Sequence, residues 1–270
     1  MRRSTPAGLL SGAIALLLAP PPAAVAAELT GREIMERVDE RDDGDNAVQD
    51  MEMILIDKNG NERVRKIRSF RRDHGEDTYS ILFFLVPADV KDTGFLTYDY
   101  DDADKDDDQW LYLPALKKTK RIAAGDKSGS FMGSDFSYAD LTTRELDHYD
   151  YTFLKEGEVG GHKVWIVQAI PNTEDEIEET GYTKSVFFVR QDNDVVIRSK
   201  NWVKKGRREK YFEVKQLEQI DGIWVATEMH MATKKGTATL HRTVIRASDV
   251  RFNQDLAESQ FTVRQLEKGL

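Results

Sequence analysis

The chain reads Trp110-Leu111-Tyr112-Leu113-Pro114-Ala115-Leu116-Lys117-Lys118 and, after a short basic stretch, Gly129-Ser130-Phe131-Met132-Gly133-Ser134-Asp135-Phe136-Ser137-Tyr138-Ala139-Asp140-Leu141. The first segment is rich in aromatic residues, which favour strands. The second segment mixes glycine and serine with large apolar side chains, which an ordinary surface loop seldom carries. We therefore expect a strand followed by a segment that covers an apolar surface.

Two interpretations of the 128–141 segment remain open at this point. Glycines beside aromatic residues suit a mobile flap that lays apolar groups over a cavity. The same composition suits a segment that simply plugs the core of a sheet. Ser137 and Asp140 are spaced to cap a short helix that starts at Tyr138. Both interpretations require a concave apolar surface beneath the segment.

Most of the remaining chain has the period-two pattern of strands. Met51, Met53 and Leu55 alternate with a second set of side chains, and Asn59-Gly60 is a strong hairpin signal. The pattern predicts strands over residues 51–56, 64–70, 79–86, 95–100, 110–113, 118–122, 149–156, 163–170, 182–190, 195–203, 208–217, 223–231 and 237–247. Strands in hairpin order with few helices predict one large antiparallel sheet.

One amphipathic helix is clearly marked near residue 30. Thr30 and Glu33 form a capping box, and Leu29 is placed to contact Ile34 as a hydrophobic staple. We expect this helix to end at Gly44 and its apolar face to need a cover. A short final helix is expected to be capped by Asp255 and to lie before Phe261. The simplest architecture is a curled sheet wrapped over helices, forming a single domain over residues 28–270.

The first residues are typical of a secretory signal peptide. Arg2 and Arg3 precede an apolar run, residues 9–18, and then small residues up to Ala27. We expect cleavage near Ala27 and export across the inner membrane. The chain has no cysteine, so we expect neither a disulfide nor the lipid anchor that bacteria attach to a cysteine. A net charge of −9, which becomes −11 without the two arginines, argues against a nucleic-acid partner.

No catalytic constellation stands out. The five histidines are scattered, and none has the spacing of a metal site. The acidic run 99–108 does not match a calcium-binding EF-hand loop. If the loop starts at Asp102, Asp107 stands where glycine is needed and Leu113 where the bidentate glutamate belongs. We expect this run and the acidic cluster 174–179 to be loops. We therefore predict that the protein is not an enzyme and that it has no catalytic residue, no metal and no cofactor.

The basic residues 117–121 have two interpretations. They suit the polar face of a strand that balances the acidic run before it, and they also suit contact with an anionic headgroup or an acidic partner.

The chain resembles the bacterial periplasmic proteins assigned to outer-membrane lipoprotein sorting, which are related to the carrier LolA. The resemblance lies in three motifs, namely Gly31-Arg32-Glu33-Ile34-Met35, Trp110 to Leu116, and Gly129 to Leu141. The acidic run from Asp101 to Asp108 is longer than the turn usual in that family. The resemblance implies an open, curled antiparallel half-barrel of the LolA and LppX type, with helices covering its concave face. It further implies a soluble, non-lipidated periplasmic carrier of an acyl-bearing lipid or lipoprotein, and association with an inner-membrane RND-type exporter.

From this resemblance we expect an apolar cleft that binds an acyl chain, because each buried methylene contributes roughly 0.8 kcal/mol. The candidate residues of the concave wall are Met51, Met53, Leu55, Phe83 and Leu85. The candidate residues of the lid are Ile34, Met35, Val38, Phe131, Met132 and Phe136. We expect a monomer. The alternative function is a periplasmic adaptor or scaffold whose cleft is filled by its own side chains, and an enzyme comes third.

Overall fold

The computed structural model describes residues 29–270, so the predicted signal peptide over residues 1–27 lies outside the described residues. Thirteen strands are present in this range, and each strand expected from the sequence is confirmed within a few residues of its predicted bounds. The strands are β1 (Asn46–Asp57), β2 (Glu62–His74), β3 (Asp77–Val86), β4 (Gly94–Asp99), β5 (Asp108–Leu113), β6 (Lys118–Arg121), β7 (Tyr149–Val159), β8 (His162–Pro171), β9 (Tyr182–Arg190), β10 (Val196–Val203), β11 (Arg208–Ile220), β12 (Ile223–Lys235) and β13 (Ala238–Phe252).

All thirteen strands belong to one antiparallel sheet. Their order is β6-β5-β4-β3-β2-β1-β13-β12-β11-β10-β9-β8-β7. Consecutive strands are neighbours in the sheet, except for β6 and β7, which lie at opposite edges. The first and last strands, β1 and β13, pair with each other and join the two halves in the middle. The sheet is curled but not closed, since β6 and β7 stay at its two edges. The predicted half-barrel is therefore confirmed.

One row of directly paired residues defines the inner face of the sheet. It crosses seven strands and consists of Leu55, Thr243, Met231, Phe212, Ser199, Phe187 and Val167. Paired residues in antiparallel strands point to the same face, so these side chains share one continuous surface. The surface is mostly apolar, and the first helix and the 128–141 segment lie against it.

The first helix, α1 (Gly31–Asp39), starts as the sequence predicts. The Thr30 side chain accepts a hydrogen bond from the Glu33 backbone N–H, and the Glu33 carboxylate accepts one from the Thr30 backbone N–H. Leu29 packs with the same apolar cluster as Ile34. The helix ends at Asp39, with Glu40 as its C-cap, and not at Gly44.

Two further helices differ from expectation. The acidic cluster 174–179 is not a loop but the helix α2 (Glu174–Thr180), because Thr173 caps its first turn and Gly181 ends it with a left-handed conformation. The final helix, α3 (Val263–Lys268), follows Phe261 and is capped by Thr262, so the assignment of its cap to Asp255 is wrong. The other acidic run is the loop between β4 and β5, as predicted.

The helix α3 covers the outer face of β3 to β5. Leu266 and Phe261 pack there with Ile81, Phe83 and Leu96, and Trp110 lies against the same cluster. Both faces of this half of the sheet are therefore apolar.

Candidate functional site

The 128–141 segment covers the inner face of β1 to β5. Phe131 is only 1% exposed, and its ring centroid lies 5.1 Å from that of Phe95 and 6.1 Å from that of Phe84. A short bridge between Ser130 and Ser137 holds the segment in a tight turn. Its apolar side chains thus take the place that a ligand would occupy on this half of the sheet.

A buried carboxylate fastens the segment to the middle of the sheet. Asp135 is 2% exposed and accepts hydrogen bonds from the Thr233 backbone N–H (3.1 Å), from the Thr233 hydroxyl and from the Thr243 hydroxyl (2.8 Å). The His241 ring nitrogen Nδ1 lies beside the same carboxylate. Arg65 donates a further hydrogen bond to the Met132 carbonyl. Buried charge-assisted hydrogen bonds of this kind are strong, so the segment is firmly attached.

The other half of the inner face is covered by α1. Ile34 and Met35 pack against Trp165, Val167 and Phe187 of β8 and β9. The helix begins almost in contact with β7, because a Cβ atom added at Gly31 would lie 2.7 Å from the Phe153 backbone nitrogen. Glycine at this position allows the close approach.

A cavity of about 390 Å³ lies between α1 and the 128–141 segment, over the inner face of β9 to β12. Its apolar walls come from α1, from the segment and from the sheet, and consist of Met35, Val38, Phe136, Leu146, Tyr151, Phe187, Val196, Phe212 and Met231. Its polar lining consists of Asp39, Arg41, Asp43, Asp140, Thr143, Arg144, Ser199 and Asn201. The sheet side of the cavity is thus largely apolar apart from Ser199 and Asn201, and the charged side chains come from residues 39–43 and 140–144.

Arg144 is one of the polar side chains of the cavity that the sequence analysis missed. Its Nη1 donates to the Ser185 hydroxyl (3.0 Å), and its guanidinium carbon lies 5.1 Å from the Phe187 ring centroid and 5.3 Å from that of Tyr182. Among residues 29–270, no carboxylate lies within salt-bridge distance of it. The guanidinium therefore keeps donors available for oxygen atoms of a bound molecule. The one sequence signal was its place between the aromatic segment and the tyrosine-rich start of β7.

Asp140 holds the end of the 128–141 segment against the sheet. Its carboxylate accepts hydrogen bonds from the Tyr182 hydroxyl (2.8 Å) and the Ser137 backbone N–H (2.8 Å), and it pairs with Lys210 at 3.2 Å. Burial opposes its charged form, but Lys210 and the Ser137 N–H outweigh burial and lower the pKa of Asp140 below its ordinary value. Asp140 is therefore a structural anion. The expected capped helix from Tyr138 is wrong: residues 139–141 form a single 3₁₀ turn without a side-chain cap, and of the expected capping contacts only the hydrogen bond from the Ser137 N–H to Asp140 is present.

Comparisons with known proteins agree with this geometry. A family model described as an uncharacterized protein matches residues 76–268. The chain is similar to a DUF1329 family protein from Desulfovibrio piger whose crystal structure is known, with 31% sequence identity and a TM-score of 0.79. The match covers 87% of this chain and 97% of the Desulfovibrio piger chain. The chain belongs to the DUF1329 family. No curated protein matches it.

Two other solved structures are similar to this chain. A putative outer membrane lipoprotein-sorting protein domain from Vibrio parahaemolyticus is 32% identical, covers 88% of this chain and 98% of its own, and has a TM-score of 0.79. A LolA superfamily protein from Nitrosomonas europaea covers 88% of this chain and 100% of its own with a TM-score of 0.66, and at 17% identity it shows the fold alone. The predicted resemblance to the outer-membrane lipoprotein-sorting proteins is confirmed, and so is the LolA-like fold.

The residues predicted for the concave wall divide between the two faces. Met51, Met53 and Leu55 lie on the inner face, but beneath the 128–141 segment rather than in the cavity. Phe83 is wrongly assigned, because its partner in β2 is Arg68, which pairs with Asp50 on the outer face. Leu85 is the extra residue where the register of β2 and β3 shifts, so strand pairing assigns it to neither face.

The residues predicted for the lid also divide. Met35, Val38 and Phe136 line the cavity, and Ile34 packs beside it on α1. Phe131 and Met132 pack over β1 to β5 instead. Of the two interpretations of the 128–141 segment, the plug describes its first half, and only its later part reaches the cavity.

An acidic cluster lies near the cavity rim, at the end of β4. Burial and the neighbouring Asp107 raise the pKa of Asp99 to about 7, and burial together with Asp107 and Asp99 raises the pKa of Glu145 to about 7. In the described part of the chain, no group of three such residues has the geometry to hold a metal ion. Within residues 29–270, no helix is both long and apolar enough to cross a membrane.

Proposed function

We propose that the protein is a periplasmic carrier that binds one acyl chain of a lipid or lipoprotein in the cavity beneath α1. It is exported by the signal peptide over residues 1–27, works as a non-lipidated monomer folded as one domain over residues 28–270, and needs no catalytic activity. The carrier moves its cargo between the inner and outer membranes, and an inner-membrane RND-type exporter is its partner.

The cavity is the observation that carries this proposal. Its volume of about 390 Å³ falls in the range of roughly 300–1,000 Å³ that is usual for small-molecule sites. Its sheet side is largely apolar, and burial of each methylene contributes roughly 0.8 kcal/mol to binding. The family relative from Vibrio parahaemolyticus, described as putatively sorting outer membrane lipoproteins, supports the same class of cargo.

The two covers of the inner face have different tasks in this proposal. The 128–141 segment stays in place, because Asp135 anchors it by buried hydrogen bonds. The helix α1 is the lid, because Ile34 and Met35 hold it mainly by apolar packing and a small displacement would extend the cavity over Trp165. Arg144 offers donors to the oxygen atoms of the cargo's ester or headgroup.

The contact residues follow from the geometry. We assign Met35, Val38 and Phe136 to direct contact with the acyl chain, and Ile34 to movement with the lid. Methionine suits this role because its flexible thioether repacks around different chains at low cost. Met51, Met53, Leu55, Phe131 and Met132 form the plugged half, which supports the cavity from the side.

Filling the cavity tests the proposal. Ser199 is buried in the inner row between Phe187 and Phe212, so Ser199→Leu places a bulky apolar side chain in the cavity. We expect this variant to lose binding of a fluorescent fatty acid by at least about tenfold while it keeps the fold. Ser248→Leu is the matched control, because Ser248 is an exposed strand residue outside the cavity.

Native mass spectrometry of protein purified from its own periplasm is the complementary measurement. A bound lipid in the wild-type protein, absent from Ser199→Leu, supports the carrier. Wild-type protein that is free of lipid and exchanges none in solution overturns it. An exporter partner is tested by cross-linking in intact cells, followed by identification of the captured membrane protein.

The plugged half of the inner face favours a second candidate. Phe131 and Met132 fill the region over β1 to β5 with the chain's own side chains, as expected of an adaptor that carries nothing. In that case Ser199→Leu would leave every cellular function intact, and only substitutions on the surface would disrupt the partnership.

A further inference from the structure

Two neighbouring hairpin turns carry a dense cluster of positive charge. The turn between β10 and β11 reads Lys204-Lys205-Gly206-Arg207-Arg208, and the turn between β12 and β13 includes Lys234 and Lys235. Strands β10 to β13 are adjacent in the sheet, so both turns project from the same end and lie roughly 10 Å apart. We call this end, with its six basic residues, the basic end.

Most of these charges have no partner in the protein. Lys204 pairs with Glu174 and Glu178 of α2. The other five form no salt bridge with any residue from 29 to 270, and all but Lys234 are exposed. Unpaired like charges at close range repel each other, so their clustering costs stability unless something else neutralises them.

The cluster is the more unusual because the chain as a whole is acidic, with a net charge of −9. One group of negative charges lies at the opposite end of the strands, where residues 99–108 between β4 and β5 hold seven aspartates. A second group, the carboxylates of α2, lies beside the basic end, where Glu174 and Glu178 pair with Lys204. The five basic residues without an ion pair remain as a local excess of positive charge.

Aromatic side chains adjoin the basic end on the outer face. The Lys184 Nζ lies 4.0 Å and the Lys200 Nζ 4.4 Å from the Trp202 ring centroid. The Lys234 Nζ lies 4.6 Å from the ring centroid of Tyr211. Tryptophan, tyrosine and lysine combine an apolar body with a polar tip, and they are the side chains that settle at the boundary between headgroups and acyl chains.

We propose that the basic end docks the protein on the surface of a membrane that contains anionic phospholipids. Lipid phosphates are distributed over a plane, and they neutralise lysines and arginines on two separate turns without a shaped pocket. The aromatic residues beside the turns suit the same surface better than they suit an acidic protein. In this orientation the acidic loop between β4 and β5, at the opposite end of the strands, points away from the like-charged membrane.

This docking is independent of the cavity. A carrier whose basic end touches the membrane is concentrated where its cargo resides, whether or not the cavity holds a lipid. The membrane docking is therefore independent of the carrier function, and different measurements test the two.

Vesicle flotation tests the docking. The full mature protein is mixed with vesicles of phosphatidylcholine alone or of an equal mixture of phosphatidylcholine and phosphatidylglycerol. We expect flotation only with the anionic vesicles at low salt, and its loss at about 1 M salt, where the Debye length is about 3 Å. Each basic residue near an anionic surface strengthens binding about fivefold, so Lys205→Gln with Arg207→Gln and Arg208→Gln should weaken binding on the order of 100-fold.

Charge reversal with a matched control separates local docking from net charge. Lys205→Glu with Arg207→Glu and Arg208→Glu should abolish flotation. The control carries Lys155→Glu, Lys163→Glu and Arg264→Glu, which reverse three exposed charges away from the basic end, and it should retain most of the binding. Ser199→Leu, which fills the cavity, should float like the wild type.

Three outcomes overturn the proposal. One is wild-type protein that does not float with anionic vesicles at low salt. Another is equal loss of binding in the control triple variant. The third is capture of an acidic partner protein through the basic end without any vesicle binding. The glutamine and glutamate variants are each checked for an unchanged melting temperature, so that the result does not depend on one of them folding.

Discussion

The two halves of the inner face are covered in different ways. Over β1 to β5 the 128–141 segment inserts Phe131 among the aromatic rings and is fastened by the buried Asp135. Over β7 to β9 the helix α1 rests on an apolar surface, and a cavity remains at its inner side. One half is filled and locked, while the other is lidded and partly empty.

The difference shows how one curled sheet can be both stable and able to bind. Buried hydrogen bonds to a carboxylate make the attachment of the segment specific in geometry and costly to break. Apolar packing of a helix is non-directional, so a helix can shift over its surface at lower cost. We infer that the plugged half supplies stability and that the half under α1 supplies the space for a bound molecule.

The largest effect is expected from Phe131→Ala in the plugged half. Removal of a fully buried ring leaves a cavity among the rings of Phe84 and Phe95, which should lower the free energy of unfolding by about 3–5 kcal/mol. Urea denaturation measures it, and Val64→Ala, at a position 41% exposed, is the control. If Phe131→Ala lost lipid binding and kept its stability, the 128–141 segment would be a mobile flap, and the two halves of the inner face would not differ as described.

Asp135→Asn should have the next largest effect. The amide places N–H groups where donors from Thr233 and Thr243 now point, so the free energy of unfolding should fall by about 2–3 kcal/mol. Hydrogen–deuterium exchange should also show faster exchange of the segment but not of α1. Asp102→Asn, in the exposed acidic loop, should change stability by less than about 0.5 kcal/mol. Equal exchange in both covers would mean that they are not held differently.

Gly31→Ala probes the lidded half. The added methyl group has no room against the β7 backbone, so α1 must shift, which should cost about 1–3 kcal/mol and speed the exchange of a bound fluorescent lipid. Gly125→Ala is the matched control beside the plugged half, where an added Cβ meets nothing within 4 Å. A lipid exchange rate unchanged by Gly31→Ala would show that α1 is not the lid.

The smallest effect concerns pH at the boundary between the halves, where Asp99 accepts hydrogen bonds from Thr143 just after the segment. Burial raises the pKa of Asp99 to about 7, so the folded protein binds more protons than the unfolded chain between pH about 4 and about 7. The contribution of Asp99 to stability is therefore full below about pH 4 and is lost as the pH rises through about 7.

Asp99→Asn removes this pH dependence while it keeps an acceptor for Thr143. Relative to the wild type, the variant should gain stability at pH 8 and none at pH 4, as measured by urea denaturation at both values. A gain of the same size at both pH values would mean that the ionisation of Asp99 is not responsible.

The strand pattern was readable from the sequence because each strand combines a period-two alternation with turn residues at its ends. Two examples are the hairpin turn at Asn59-Gly60 and the capping box of Thr30 and Glu33. Each depends only on residues that are close together in the chain. Such local rules hold because their energies are set within a few residues. The expected acidic loop 99–108 follows from the same rules, whereas 174–179 became a helix because Thr173 supplies a cap.

Which face a strand residue occupies was less accessible. Phe83 and Phe84 are both apolar and both buried, since α3 covers one face of β3 and the 128–141 segment covers the other. Alternation cannot choose a face when both are apolar. A register shift at Leu85 adds to the ambiguity, because one extra residue exchanges the two faces.

The sequence by itself determined the thirteen strands, the capped first helix and the family, because these rest on local patterns and on short motifs. Only the tertiary structure decided that Phe131 plugs one half of the sheet, that Asp135 locks it there, and that Arg144 lies in the wall of a cavity on the other half. Those facts depend on contacts between residues far apart in the chain. The physical reason is that burial and pairing, unlike turn and strand preference, are properties of the assembled sheet.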